Sequence, residues 1–140
     1  MLTLTAVLSF TISLLAKFAA DHLLIARIPV FGSFAGLQIA ENSGVAFSIT
    51  FPWKLQNILI GLALLCIAVA ATKARTKAGK IAFGMIIGGA AGNIADRIND
   101  GKVTDFFQAG SFPIFNVADS FITVGVFLLL LEMIWRWWNG

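Results

Sequence analysis

Four apolar runs divide this chain, at about 2–20, 55–71, 81–98 and 117–138. A helix crossing the hydrocarbon core needs ~20 apolar residues, because its backbone must satisfy every N–H and C=O where no water is available. The runs approach that length, so the fold expected is an all-α membrane protein. It is read as a four-transmembrane-helix bundle in a single integral membrane domain, 1–140. Charged residues make up only 12% of the chain and gather between the runs, where insertion tolerates them. Lys17 interrupts the first run and is placed to snorkel toward an interface. Asn93, Asp96 and Arg97 interrupt the end of the third. Trp135, Trp137 and Trp138 close the last run and suit an interfacial belt. The first run has no basic leader before it and reads as a retained helix rather than a signal peptide.

Lys73, Arg75, Lys77 and Lys80 crowd the segment 72–80. The positive-inside rule places that segment, and with it both termini, in the cytoplasm. Segments 21–54 and 99–116 then face outward. In the first of these, 29–34 and 37–41 resemble short strands separated by Ala35-Gly36. Ser43-Gly44 offers a turn before a third strand at 45–49. A small antiparallel sheet lying on the outer face is expected. The second outer segment reads as a polar connector whose Phe106, Phe107, Phe112 and Phe115 dip into the interface. Gly84, Gly88 and Gly92 recur every four residues, a smooth stripe against which another helix packs closely.

Composition also removes several chemistries. One cysteine, Cys66, forms no intrachain disulfide, and with the single His22 it makes no His/Cys zinc site. No metal or organic cofactor is expected. The net charge of +3 comes from localised basic residues that read as a topology signal, so no nucleic-acid partner is expected. A serine/lysine hydrolase needs a serine beside a lysine at membrane depth, and Lys17 and Lys54 offer Ser43, Ser48 and Ser120 no convincing partner.

Asp105 and Asp119 stand out in a chain otherwise nearly free of acids. Asp105 lies in the connector Val103-Thr104-Asp105-Phe106-Phe107, and Asp119 at the mouth of the last apolar run. Both fall near the outer face, and two carboxylates close together suit paired acid/base chemistry. Each polar position also has a structural explanation. Asn116 followed by Asp119 is a variant of the helix capping box. Asn93 shares a helix face with Asp96 and Arg97, and an Asp96–Arg97 ion pair would anchor the helix end. Asn42 either sits in a hairpin turn or presents its amide to a peptide backbone.

Taken in order, Asn42–Ser48, Gly88–Arg97, Val103–Phe106 and Phe112–Ser120 resemble the motifs of lipoprotein signal peptidase, the signal peptidase II family. The resemblance covers the chain from about Lys17 onward. It implies an aspartyl endopeptidase of four transmembrane helices with an outer sheet that cradles the substrate. Asp105 and Asp119 correspond to the catalytic pair, and Asn93, Arg97 and Asn116 to polar positions around it. Asn42 corresponds to the cradle asparagine, and Asp96 is read with this supporting set. The first-helix motif departs from the family at Ser13 and Leu14, where an acid and a glutamine are customary, and Val45 replaces an alanine. The implied partners are membrane lipids and a diacylglyceryl-modified prolipoprotein, cut before its lipidated cysteine. The implied setting is the bacterial cytoplasmic membrane, with the protein a monomer and the site near the outer leaflet. Two other functions fit the same residues: a small membrane transporter or channel, and a non-catalytic lipoprotein-binding relative.

Overall fold

The computed structural model describes residues 1–43 and 53–139. Among the described residues four helices form: α1 (Leu2–Leu23), α2 (Trp53–Ala71), α3 (Lys77–Asp100) and α4 (Val117–Asn139). Three of them, α1, α3 and α4, are long and apolar enough to cross a membrane, and α2 contributes a shorter apolar stretch, Ile58–Ala71. Large side chains such as Leu8, Leu15, Phe127 and Trp135 are exposed along these helices. In water that would be a broad unfavourable surface, whereas in lipid it is the ordinary outer face of a bundle.

α3 is the central element: 39% of its apolar window is buried inside the protein, against 11% for α1 and for α4. Glycine is the reason. A Cβ on Gly84 would fall 2.7 Å from the Leu2 carbonyl oxygen, and one on Gly92 would fall 2.9 Å from the Ser13 Cβ. Gly88 packs just as closely on Ala6 and Ser9. The expected stripe therefore faces α1. Gly89 faces the other way, where a Cβ would lie 2.6 Å from the Ala118 carbonyl oxygen of α4, and Gly125 of α4 approaches Ala82 equally closely. Without a hydrophobic drive between helices in lipid, such close backbone approach gains dispersion contact on both sides of α3.

The two ends of α3 are held differently. At its start, the Thr76 hydroxyl accepts from the Gly79 N–H (2.9 Å) and donates to Glu132 of α4 (2.7 Å). At its end, Gly101 takes the left-handed conformation (φ 79°) and its N–H returns to the Arg97 carbonyl at 2.9 Å. This glycine stop turns the chain sharply into the next strand.

The sheet is larger than the sequence reading anticipated. Among the described residues it has four antiparallel strands in the order β1 (Ile28–Phe31), β2 (Ala35–Asn42), β3 (Val103–Ala109) and β4 (Phe112–Phe115). Ala35 and Gly36 are not the first turn. They belong to β2 and pair with Ala109 and Gln108, while the turn falls on Gly32–Phe34 with Gly32 at φ 55°. The expected third strand, 45–49, lies outside the described residues. The supposed connector 99–116 supplies β3 and β4, two of the four strands among the described residues. Both inter-helix segments thus meet in one layer at the same end of the bundle. The Gly110 N–H donates to the Phe34 carbonyl at 2.6 Å, locking the two hairpin turns together.

Candidate active site

β3 leaves the α3 turn and carries Asp105 with neighbours Val103 and Phe106, which are buried. Asp105 is therefore a strand residue, not a loop acid, and only 2% of it is exposed. Register places it opposite Ala40 of β2, two residues before Asn42. Asp119 arrives from the first turn of α4, where a carboxylate is favoured by the free N–H groups and the helix dipole.

Asn116 joins these two acids. Its side-chain oxygen accepts from the Asp119 N–H (2.9 Å), and its own N–H donates to Asp119 Oδ2 (3.2 Å). That is the reciprocal capping box the spacing suggested. The same side chain turns its amide to Asp105 Oδ1 at 2.7 Å and to Asn93 Oδ1 at 3.1 Å. Asn93 in turn donates to Asp119 Oδ1 at 2.8 Å, and Asn42 donates to Asp105 Oδ2 at 3.0 Å. Capping and site assembly are thus one arrangement, because one asparagine has enough donors and acceptors for both.

Every carboxylate oxygen of the pair accepts from a neutral amide in this network. Such donors fix orientation without cancelling charge. Burial pushes the Asp105 carboxyl up to about 6. The Asn42 hydrogen bond pulls it back, the Asp119 charge raises it, and the Asn116 hydrogen bond and the Arg97 charge lower it.

A cavity of about 840 Å³ opens onto the pair. Its polar wall holds Asn42, Asn93, Arg97, Asp105 and Asp119, and its apolar wall includes Phe112, Ile114, Phe115, Ile122 and Val124. The space therefore suits a ligand with one polar segment and a bulky apolar part. Among the described residues, no group of three or more His, Cys, Asp or Glu gathers to hold a metal ion.

Of the expected residues, Asn116 and Asp96 do not line this cavity; Asn116 lies behind the pair it joins, and Asp96 lies farther off. Its Oδ1 lies 3.1 Å from Lys17 Nζ of α1, and its Oδ2 accepts from the Thr104 N–H at 2.7 Å. The expected pairing with Arg97 is therefore replaced by one with Lys17. Consecutive helical residues point about 100° apart, so Arg97 enters the cavity while Asp96 turns toward α1. Lys17 does not snorkel away from the bundle; it bridges Asp21 (2.5 Å) and Asp96. Sequence reasoning placed Lys17 in the first-helix motif without pairing it with Asp96, and it missed Thr104. A cation inside an apolar run was the available signal, since it calls for an acid at the same depth. Residues 44–48 of the Asn42–Ser48 motif lie outside the described residues.

The model of the signal peptidase (SPase) II family matches residues 5–135. A lipoprotein signal peptidase of Dehalococcoides mccartyi is 41% identical over 111 residues, covering 74% of this chain and 69% of the relative. One of Shouchella clausii is 39% identical over 114 residues, covering 77% and 74%. In structure, the chain superimposes on a bacterial membrane enzyme solved at 2.3 Å resolution, with a TM-score of 0.88 at 26% identity over 98% of this chain and 89% of the other. Apolar helices, a paired-carboxylate cavity and a family match over nearly the whole length agree, and this multi-pass bacterial membrane protein belongs to the signal peptidase II family of proteases.

Proposed function

We propose that the chain is an intramembrane aspartyl endopeptidase that removes signal peptides from diacylglyceryl-modified prolipoproteins, cutting before the lipidated cysteine. The observation that carries this reading is Asn116, hydrogen bonded at once to Asp105 and Asp119, the two acids that line a cavity with polar and apolar walls. In this reading α2 completes a four-helix bundle in the cytoplasmic membrane. Both termini face the cytoplasm, the sheet lies at the outer leaflet, and the protein works as a monomer among membrane lipids. The family relatives are named for lipoprotein signal peptides, and the cavity has walls for both parts of such a substrate.

The two carboxyls share one proton near neutrality, because neighbouring like charges in a dry site do not both ionise readily. The ionised member takes a proton from water, whose oxygen attacks the scissile carbonyl carbon. The neutral member donates its proton to the carbonyl oxygen. Collapse of the tetrahedral intermediate breaks the C–N bond, and the departing nitrogen receives a proton from the pair. Water is thereby divided between a new carboxyl and the new amine of the cysteine. The apparent pKa values belong to the pair rather than to either acid. Arg97 and Asn42 orient the peptide carbonyls, and Asn93 holds Asp119. The lipid fixes depth, since each buried CH₂ contributes about 0.8 kcal/mol, and alignment beside the pair lowers the barrier further.

The test is purified protein in lipid with two precursors identical except for the diacylglyceryl group. Only the modified precursor should be cleaved, and mass analysis of the product should show the lipidated cysteine at its new N-terminus. Equal cleavage of both, or persistence of the intact modified precursor, would refute the assignment.

A pH profile follows from the same geometry. With the Asp105 carboxyl at about 6, kcat/KM should fall as pH rises through that region, because the proton-donating member is lost. Asn42→Ala removes a donor that favours the ionised form, so the alkaline limb should move to higher pH. A limb that stays in place or moves lower contradicts the assignment of Asn42 to this carboxylate.

A further inference from the structure

Asp96 occupies a position that disfavours it. It lies just before the last turn of α3, toward the end of the helix where the dipole opposes a carboxylate, and it is 7% exposed. Two contacts compensate, one for each oxygen, and they come from different elements. Lys17 of α1 holds Oδ1 at 3.1 Å, and the Thr104 amide of β3 donates to Oδ2 at 2.7 Å. The second contact spans only eight residues and clips the sharp turn made by Gly101. Thr104 is the residue immediately before Asp105. Beside Asp96 lies a small cavity of about 10 Å³, bordered by Ser13, Lys17, Asn93, Thr104 and Asn116. Asp96 borders that small cavity and not the large one that opens onto the pair.

We propose that Asp96 is a positioning residue: by holding the Thr104 amide it sets the height of β3 on the bundle, and so places the Asp105 carboxyl against Asn116 and Asp119. Lys17 holds Asp96 turned toward the strand, and Asp21 on the far side of Lys17 steadies the cation. The consequence is catalytic because the Asp105 hydrogen bonds are short-range: a displacement of ~1 Å in a reacting group can cost ~10²-fold in rate without touching substrate.

This inference rests on the peptidase reading, so its test separates the two. The variants K17M/D96N and K17M/D96L both remove the buried charge pair. They differ in one respect, since Asn keeps an oxygen for the Thr104 N–H and Leu does not. K17M/D96N should keep most of kcat, whereas K17M/D96L should lose about 10²-fold in kcat with KM nearly unchanged. Asp96→Glu keeps the charge on Lys17 and the fold, yet pushes the Thr104 amide outward by a methylene, and it too should lose kcat rather than KM. Melting temperature in detergent normalises all rates to folded protein. Equal kcat for the Asn and Leu variants, a loss confined to KM, or full activity in Asp96→Glu would overturn the inference. Asp105→Asn is the control for the underlying reading: if it cleaves normally, the carboxylate mechanism itself has failed, whatever the Asp96 variants do.

Discussion

Asp105→Asn and Asp119→Asn should each abolish precursor cleavage, by ~10⁴-fold in kcat, while the protein stays folded. The size follows from the way the two groups act. One accepts a proton and the other donates one, so loss of either leaves no complete path for the proton. The double variant should be no worse than either single one, as expected of residues that work as a unit. Stability should respond in the opposite direction at position 105. A carboxylate that is 2% exposed, with neutral amides donating to both of its oxygens, is costly to ionise. An uncharged side chain of the same shape should therefore match or raise the melting temperature measured at pH 7 to 8. Loss of activity together with a raised melting temperature is a combination that misfolding cannot produce. Residual cleavage above about one hundredth of the unaltered rate in either variant would exclude this pair as the proton carriers.

The membrane character and the extents of the helices were legible because lipid leaves few alternatives: apolar length, the glycine stripe and the tryptophans all act locally. The sheet was legible only in part. In 28–42 the alternation and the turn residues gave a hairpin, displaced at its turn because Gly32 was not recognised as the left-handed position. β3 escaped notice because Val103-Thr104-Asp105-Phe106-Phe107 does not alternate. Val103, Asp105 and Phe106 are all buried, so the strand has no solvent face to produce a period of two. The two aspartates could be singled out, since acids at such positions need a reason. Their connection through Asn116 could not be read from spacing alone, because the capping box explains the same residues without any reference to Asp105. Lys17 and Asp96, 79 positions apart, meet only through the α1–α3 packing that Gly92 permits.

Position 116 allows the capping and bridging roles of one side chain to be measured separately. Asn116→Ala loses both. The cap is worth ~1 kcal/mol, so the melting temperature should fall by a few degrees. The freed Asp105 oxygen and the loosened Asn93 should lower kcat by about 10²-fold. Asn116→Ser divides these effects. A serine hydroxyl caps as well as asparagine does by accepting from the Asp119 N–H, but it is too short to reach Asp105 and has no second donor for Asn93. Its melting temperature should return to that of the unaltered protein while kcat stays at the level of the alanine variant. Asn116→Asp also preserves the cap, yet it sets a third carboxylate against two others and removes the donors that now hold the Asp105 carboxylate in place. Both changes favour proton uptake, so the alkaline limb of its pH profile should rise above that of the unaltered protein. If serine restores activity along with stability, Asn116 merely starts a helix, and the two aspartates require some other link.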